Sequence, residues 1–247
     1  MPDSNPKIVV VMPAYYAEKT LEKTFKDLPK NLISEIILVD DASGDRTAIE
    51  AKKLGIKTFV HKQNVGYGGN QKTCYWEAQK SNADIIIMLH PDYQYDGTKI
   101  PALVEPILKG EYDVMLGSRI RTRQETLAGG MPPIKYLGNR ILTTIANIIL
   151  GTNLSEHLSG FRAYSSKALE VIPFQRFSNN FVFDQQFIFS AVSYGFKVGE
   201  TPVPVRYFKE ASSIGGWKGI KYVLDTLFCF LLYVLHQLGL IKSRMFR

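Results

Sequence analysis

Cysteine is nearly absent from this chain of 247 residues. Its two cysteines, Cys74 and Cys229, lie far apart and match no metal-ligand spacing, which excludes a disulfide framework and a zinc module. No run reaches the roughly 18 uninterrupted apolar residues of a plain transmembrane helix. The amino end lacks a basic segment followed by an apolar one, so the expectation is a cytoplasmic protein without a secretory signal. Gly (19) and Pro (12) occur at ordinary frequency, which sets aside collagen-like and low-complexity chains. What is present, 45% hydrophobic and 21% charged residues, suits one globular domain, or one domain with an appendage.

Charge is unevenly spread. The total is +7, yet residues 1–113 carry a net −2 and residues 114–247 a net +9. A basic half fits a polyanionic partner (nucleic acid, a diphosphate or an anionic membrane face) or simply a solvated surface. Nucleic acid is disfavoured, because the basic residues are dispersed and not clustered with exposed aromatics.

The first half alternates regularly. Lys7–Met12, Glu35–Val39, Lys57–Val60, Asp84–Leu89 and Asp113–Leu116 read as strands. Between them, helices are expected over Glu18–Leu28, Arg46–Leu54, Gly69–Lys80 and Lys99–Leu108. Apolar strands without polar alternation, separated by helices, predict an α/β fold with a mostly parallel sheet covered on both faces. Beyond it, Thr122–Pro133 reads as a loop, Ile134–Leu150 and Asp184–Tyr194 as helices, Pro202–Tyr207 as a strand, and Gly216 to about Leu240 as a closing helix.

In such sheets ligands bind beyond the carboxyl ends of the strands. Here the first strand runs into Pro13-Ala14-Tyr15-Tyr16, the second into Asp40-Asp41-Ala42-Ser43-Gly44-Asp45, and the fourth into His90-Pro91-Asp92-Tyr93-Gln94. Adjacent Asp40 and Asp41 repel each other, so a folded site there needs compensating donors or a cation. A turn followed by a helix cap is the plainer reading of that segment. Asp96 is likewise a candidate cap for the helix that follows.

These residues carry a resemblance. Val39–Thr47 is similar to V-D-D-x-S-x-D-x-T of the family 2 glycosyltransferases, Asn64–Gly69 to N-x-G-x-G-x, Gly117-Ser118-Arg119 to G-S-R, and Ser159-Gly160-Phe161-Arg162 to S-G-F-R. Over Lys7 to Ser213 the chain resembles the branch of that family that makes dolichyl- and polyprenyl-phosphate sugars. The resemblance implies a GT-A (Rossmann-like) catalytic domain over residues 1–213, with a nucleotide-sugar-binding half at 1–117 and an acceptor-side half at 118–213. Residues 214–247 would then form an apolar helix and basic tail.

It also implies a nucleotide-diphosphate sugar as donor. Pro13, Tyr15 and Asp41 would line the base and ribose, Asp40 would accept hydrogen bonds from the base, and Gly66, Gly68 and Gly69 would allow close backbone approach. Such enzymes usually carry D-x-D after the fourth strand to hold a divalent metal; here the positions read His90-Pro91-Asp92. Asp92, Gln94 and the diphosphate could hold Mg²⁺ or Mn²⁺, with His90 either a ligand, better suited to Mn²⁺, or a neighbouring contact. Arg119 matches the phosphate-contacting arginine, with Arg162 and Arg206 as its partners, since guanidinium groups fork onto phosphate oxygens. Arg121, Arg123, Lys135 and Arg140 lie in or beside the loop that would frame the acceptor, either steering phosphate or simply solvated, and His157 beside S-G-F-R is either an acceptor or pyrophosphate contact or a structural histidine.

Members of this kind invert the anomeric centre in one displacement. A hydroxyl acceptor needs a general base, whereas a phosphate is already anionic. Phe183-Asp184-Gln185-Gln186 lacks the Glu-Asp pair of hydroxyl-using relatives, which points to a lipid phosphate; Asp184 is the candidate base otherwise, and a helix cap in the plainer reading. A glycan hydroxyl as acceptor and a non-catalytic nucleotide-sugar binder stand as alternatives. The apolar stretch Ile220–Ile241, interrupted by Lys221, Asp225, His236 and Gln237 and followed by Lys242, Arg244 and Arg247, fits peripheral contact at the inner face of the plasma membrane. It would equally serve a second copy of the chain.

Overall fold

The structure, a computed structural model, describes residues 6–120, 122–204, 206 and 216–247. Among the described residues seven strands form one sheet: β1 (Ile8–Ala14), β2 (Glu35–Asp40), β3 (Lys57–Val60), β4 (Ile85–Met88), β5 (Val114–Ser118), β6 (Arg162–Ser165) and β7 (Val198–Pro202). Their order is β3-β2-β1-β4-β6-β5-β7. Every pairing is parallel except the two made by β6. The helices are α1 (Leu21–Lys26), α2 (Thr47–Lys53), α3 (Tyr67–Lys80), α4 (Ile100–Leu108), α5 (Arg123–Ala128), α6 (Pro133–Leu150), α7 (Ser166–Val171), α8 (Phe183–Ser193) and α9 (Gly216–Gln237).

β1 is apolar throughout because it faces two cores. Val9 and Val11 join Ile37, Val39, Ile86 and Met88 on the side of α3 and α8, against Cys74, Tyr75, Phe183 and Phe187. Ile8, Val10 and Met12 join Leu38, Ile85 and Ile87 on the other side, against Leu21 of α1 and Leu103 of α4. Alternate residues thus point to opposite hydrophobic layers. A third cluster unites α6, α8 and α9, where Phe189 stacks on Phe230 with centroids 4.8 Å apart.

Two expectations are corrected, and one strand is added that the sequence did not announce. The segment Thr122–Pro133 is not all loop: α5 occupies part of it, closed by a capping box in which Thr122 Oγ1 accepts from the Glu125 N–H and Glu125 Oε2 from the Thr122 N–H. The strand expected at Pro202–Tyr207 ends at Pro202, since prolines at 202 and 204 cannot donate to a ladder; Val205 and Tyr207 lie outside the described residues. The added strand, β6, pairs antiparallel between β4 and β5, so its first residue, Arg162, meets Met88 and Leu116 at the carboxyl edge of the parallel strands. The sequence R-A-Y-S carries no apolar run to announce it.

Helix α6 turns a mixed side inward, Leu142 and Ala146 joining the third cluster beside a polar row. Asn139, Thr143 and Asn147, one turn apart, face residues 154–157: Asn139 Nδ2 donates to Glu156 Oε1 (2.7 Å), Asn147 Nδ2 to the Leu154 carbonyl (2.8 Å), and the His157 N–H to Thr143 Oγ1 (3.3 Å). Outward it presents Ile134 (84% exposed), Leu137, Ile141 and Ile148 (77% exposed). α9 buries Thr226, Cys229, Phe230 and Tyr233 and exposes Trp217, Ile220, Leu224, Leu227, Phe228 and Leu231.

Candidate active site

Because β1, β2 and β4 run parallel, Tyr15, Asp40-Asp41 and His90-Pro91-Asp92 leave from one edge of the sheet. Each loop turns sharply through a non-glycine residue in the left-handed region: Tyr16 (φ 54°), Ala42 (φ 58°) and Tyr93 (φ 59°). Such backbone is costly unless its surroundings hold it, and it concentrates at functional edges. The Tyr16 N–H donates to Ser43 Oγ (2.8 Å), and the Arg206 guanidinium lies 4.2 Å above the Tyr93 ring. Tyr15 and Tyr16 stand exposed in an edge-to-face pair 4.6 Å apart, whereas Pro13 is buried within β1.

The aspartate pair is compensated by donors. Asp40 accepts from the Ser43 hydroxyl; burial raises its pKa, opposed by Ser43, and the negative charges of Asp45 and Asp41 add to the rise. Asp41 accepts from the Val65 N–H (2.9 Å), the Gly66 N–H (3.0 Å) and His61 Nδ1 (2.8 Å). Its carboxylate therefore holds the loop that enters α3. Gly66 has φ 90°, and a Cβ there would lie 2.7 Å from the Asn179 carbonyl oxygen. At Gly68 a Cβ would meet the Ser178 carbonyl at 2.4 Å, and the Gly68 N–H donates to the Asn179 carbonyl (2.8 Å). In this structure the glycines admit residues 178–180 of the same chain.

The positions considered for metal are distributed unequally. Asp92 Oδ1 accepts from the Gln94 N–H (3.0 Å), with both residues buried. His90 stacks on Tyr67, with Nε2 3.1 Å from the Tyr67 hydroxyl. Among the described residues, no three His, Cys, Asp or Glu side chains gather as a metal-holding group. A carboxylate and a carboxamide two residues apart suit a hard cation that takes its remaining ligands from phosphate and water, the usual habit of Mg²⁺. Asp96 caps the turn Gly97–Lys99, accepting from the Thr98 N–H (3.0 Å).

The arginines differ in what surrounds them. Arg119 pairs with wholly buried Glu156, which accepts from the Arg119 N–H (2.6 Å), Nε (2.9 Å) and an Nη, while the same Nη donates to the Leu158 carbonyl (3.0 Å). Arg162 is the largest fully buried side chain and donates to the carbonyls of Ser159 (2.7 Å), Asp184 (2.9 Å) and His157 (3.2 Å). Burial works against its charge, but Asp184 together with Tyr164, Tyr75 and Tyr67 outweighs that and raises its pKa. Arg206 keeps its side chain 37% exposed, donating to Asp27 Oδ2 (2.9 Å) and, through its N–H, to the Gln94 carbonyl (2.9 Å). Arg121 lies outside the described residues, and Arg140 donates to the Ser155 carbonyl.

Asp184 does not cap α8; Val182 does, and Asp184 sits in the first turn, where the helix dipole favours its charge. It is buried, with Oδ2 accepting from the Tyr67 hydroxyl (2.7 Å), Oδ1 from Gln71 Nε2 (3.2 Å), and Arg162 at 3.8 Å. His157 is buried, its Nε2 2.9 Å from Asn147 Oδ1, and its pKa is lowered to about 4 by burial and then by the Arg162 charge. Lys135, in the first turn of α6, has its pKa lowered by burial and by the Arg119 charge, with Glu156 and Asp92 opposing.

Tyr67, Gln71 and Glu156 were not singled out from sequence. Tyr67 occupies an unspecified position of N-x-G-x-G-x, and Glu156 precedes S-G-F-R by three residues; nothing local distinguishes either from a surface polar residue.

A strand order with one reversed strand, a carboxylate-bearing edge and these motifs describe a nucleotide-sugar-dependent transferase of the GT-A class. The chain belongs to glycosyl transferase family 2, whose sequence model matches residues 9–172. It is 33% identical over 209 residues to an uncharacterized protein, MJ1222, of Methanocaldococcus jannaschii, covering 85% of each chain. It is 27% identical over 225 residues to the UDP-N-acetylglucosamine–dolichyl-phosphate N-acetylglucosaminyltransferase of Methanococcus voltae, covering 84% of this chain and 89% of that one. Among solved structures it is similar to glucosyl-3-phosphoglycerate synthase of Mycobacterium tuberculosis in complex with phosphoglyceric acid, with TM-score 0.71 and 20% identity over 92% of this chain and 80% of that one. The same enzyme with Mn²⁺, UDP-glucose and phosphoglyceric acid gives TM-score 0.68 at 20% identity, covering 92% and 79%. At that identity the likeness establishes the fold.

Proposed function

We propose that this glycosyltransferase moves a sugar from a nucleotide-diphosphate donor to a polyprenyl phosphate at a membrane face. The observation that carries the acceptor is the state of Asp184. The best candidate base in the sequence is buried, with both carboxylate oxygens committed to Tyr67 and Gln71 and Arg162 beside them. A hydroxyl acceptor would need a base; a phosphate, already ionised near neutral pH, does not. The dolichyl-phosphate relative from Methanococcus voltae supports the same acceptor class.

In this reading residues 1–117 hold the donor, residues 118–213 face the acceptor, and residues 214–247 carry the membrane-side helix. Tyr15 and Asp40 receive base and ribose. Asp92 and Gln94 would hold a divalent cation, which neutralises the departing diphosphate when bound. Arg206 and Lys135 supply positive charge at that edge, while Arg119 and Arg162 act from below by holding the loops in place. An acceptor phosphate oxygen attacks the anomeric carbon as its bond to the diphosphate oxygen breaks. The sugar inverts, and the nucleoside diphosphate leaves with the electron pair.

The outward apolar faces of α6 and α9 support peripheral membrane contact. α9 is long and apolar enough to cross a membrane, but one face packs on α8 and α6, and Lys218 and Lys221 near its start suit anionic headgroups.

Calorimetry with UDP, GDP and dTDP, each with and without Mn²⁺, followed by product analysis with polyprenyl phosphate and with polyprenol, tests the proposal. Metal-strengthened binding of one nucleotide and transfer to the phosphate alone are expected, and Asp92→Asn should abolish transfer while preserving the fold. Transfer to polyprenol, or to a sugar hydroxyl, would overturn the acceptor assignment.

A further inference from the structure

His90 occupies the position at which relatives place the first metal-binding carboxylate, and its surroundings are more elaborate than an idle replacement requires. Its ring lies nearly parallel to that of Tyr67, at 17° and 5.3 Å, and Phe181 covers Tyr67 at 4.7 Å. The Tyr67 hydroxyl donates to Asp184 Oδ2 (2.7 Å) and touches His90 Nε2 at 3.1 Å. Asp184 is held in turn by Gln71 and faces the buried Arg162. The Pro13 carbonyl on β1 also interacts with the His90 ring. Opposite lies Gly160, where a Cβ would come within 2.9 Å of His90 Nε2 and 3.2 Å of the Tyr67 hydroxyl. Glycine in S-G-F-R thus leaves room for the imidazole. For Nε2 to reach a metal, it would have to leave Tyr67 and rotate away from the Gly160 backbone.

We infer that His90 is a wall of the donor site and not a metal ligand, that Tyr67 is the positioning residue that locks it, and that a divalent cation is captured at Asp92 only together with the donor diphosphate. This rests on the donor reading above. With His90 withdrawn, the protein offers one carboxylate and the Gln94 carboxamide. That is too few ligands for a cation that fills about six positions and dehydrates reluctantly, unless phosphate oxygens complete the set. Asp92 lies two residues beyond His90, so the lock also steadies the loop that presents it. Groups that orient a metal ligand without touching the metal commonly change affinity by about 10–100-fold when removed.

The test is Mn²⁺ binding to the full chain, followed by electron spin resonance with and without the nucleotide that calorimetry selects. Mn²⁺ should bind only with nucleotide, and its spin-echo spectrum should show no directly coupled imidazole nitrogen. His90→Gln should lower nucleotide-dependent Mn²⁺ affinity no more than Tyr67→Phe does, since both act only through the loop that carries Asp92. Tyr67→Phe, which keeps the ring but takes a donor from buried Asp184, should lower it by about tenfold and lower the melting temperature, while metal-free nucleotide affinity holds. An imidazole nitrogen coupling that vanishes in His90→Gln would overturn the inference, as would firm Mn²⁺ binding without nucleotide. Unaltered Mn²⁺ affinity in Tyr67→Phe would remove Tyr67 from its role. If none of the three nucleotides binds the wild-type chain, the donor reading fails and takes this inference with it.

Discussion

Helices α4 and α6 are both strongly amphipathic and are mounted differently. α4 turns Ile100, Leu103, Val104 and Ile107 to the sheet, as a helix covering a core should. α6 turns Asn139 and Thr143 inward to the segment around Glu156 and His157, and leaves Ile134, Leu137, Ile141 and Ile148 facing out. The difference shows that an apolar stripe reports a low-polarity neighbour without saying whether that neighbour is the protein's own core. For α6 the interior is mixed, a hydrogen-bonded polar seam beside Leu142 and Ala146 of the third cluster, and a second apolar row is left exposed.

Substitutions on the two helices should separate these roles. Leu103→Ala in α4 removes a fully buried side chain and should destabilise the protein by about 2–5 kcal/mol in denaturant titration. A loss below about 1 kcal/mol would mean that α4 is not the core helix described.

The seam beneath α6 should respond to acid. His157 has a folded pKa of about 4, below its ordinary value of 6.5, so the unfolded chain binds the proton more readily. Its contribution is therefore complete above pH 6.5 and disappears as pH falls towards 4, amounting to about 3 kcal/mol at most. Stability measured across that window should fall for the wild type and fall less for His157→Gln, whose carboxamide can still donate to Asn147. Equal slopes would show that His157 is not buried neutral against α6.

The smallest effect on folding is expected from Ile148→Ser on the outer face of α6, within about 0.5 kcal/mol in solution. The same change should reduce sedimentation with anionic vesicles. A large folding penalty, or unchanged vesicle binding, would return α6 to the ordinary class of core-covering helices.

Much of the donor side was legible in the sequence because its strands are apolar on both faces, and a run such as Ile8–Met12 has no other stable place than a buried sheet. The strand ends were legible for the same reason: Asp40, Asp41 and Asp92 interrupt apolar runs where solvent or ligand must begin. β6 was not, because Arg162 and Tyr164 are buried through a polar network that no periodicity records. Motif spelling also says little about accessibility. Arg119 and Arg206 read as equivalent phosphate contacts, and only packing shows that Glu156 encloses one while the other keeps part of its surface exposed.

The reversal of β6 has a consequence for how this scaffold can change. β5 finishes, and β6 begins, at the same edge of the sheet. Residues 119–161 therefore depart from and return to one side, carrying α5, α6 and the Glu156 segment as a detour that the ladder does not depend on. Insertions, deletions or exchange within that detour would remodel one face of the molecule while the strand register stays as it is. The scaffold is in this sense a cassette holder, in which a new surface can be spliced in at two neighbouring points, and under the proposed function that surface is the one facing the acceptor.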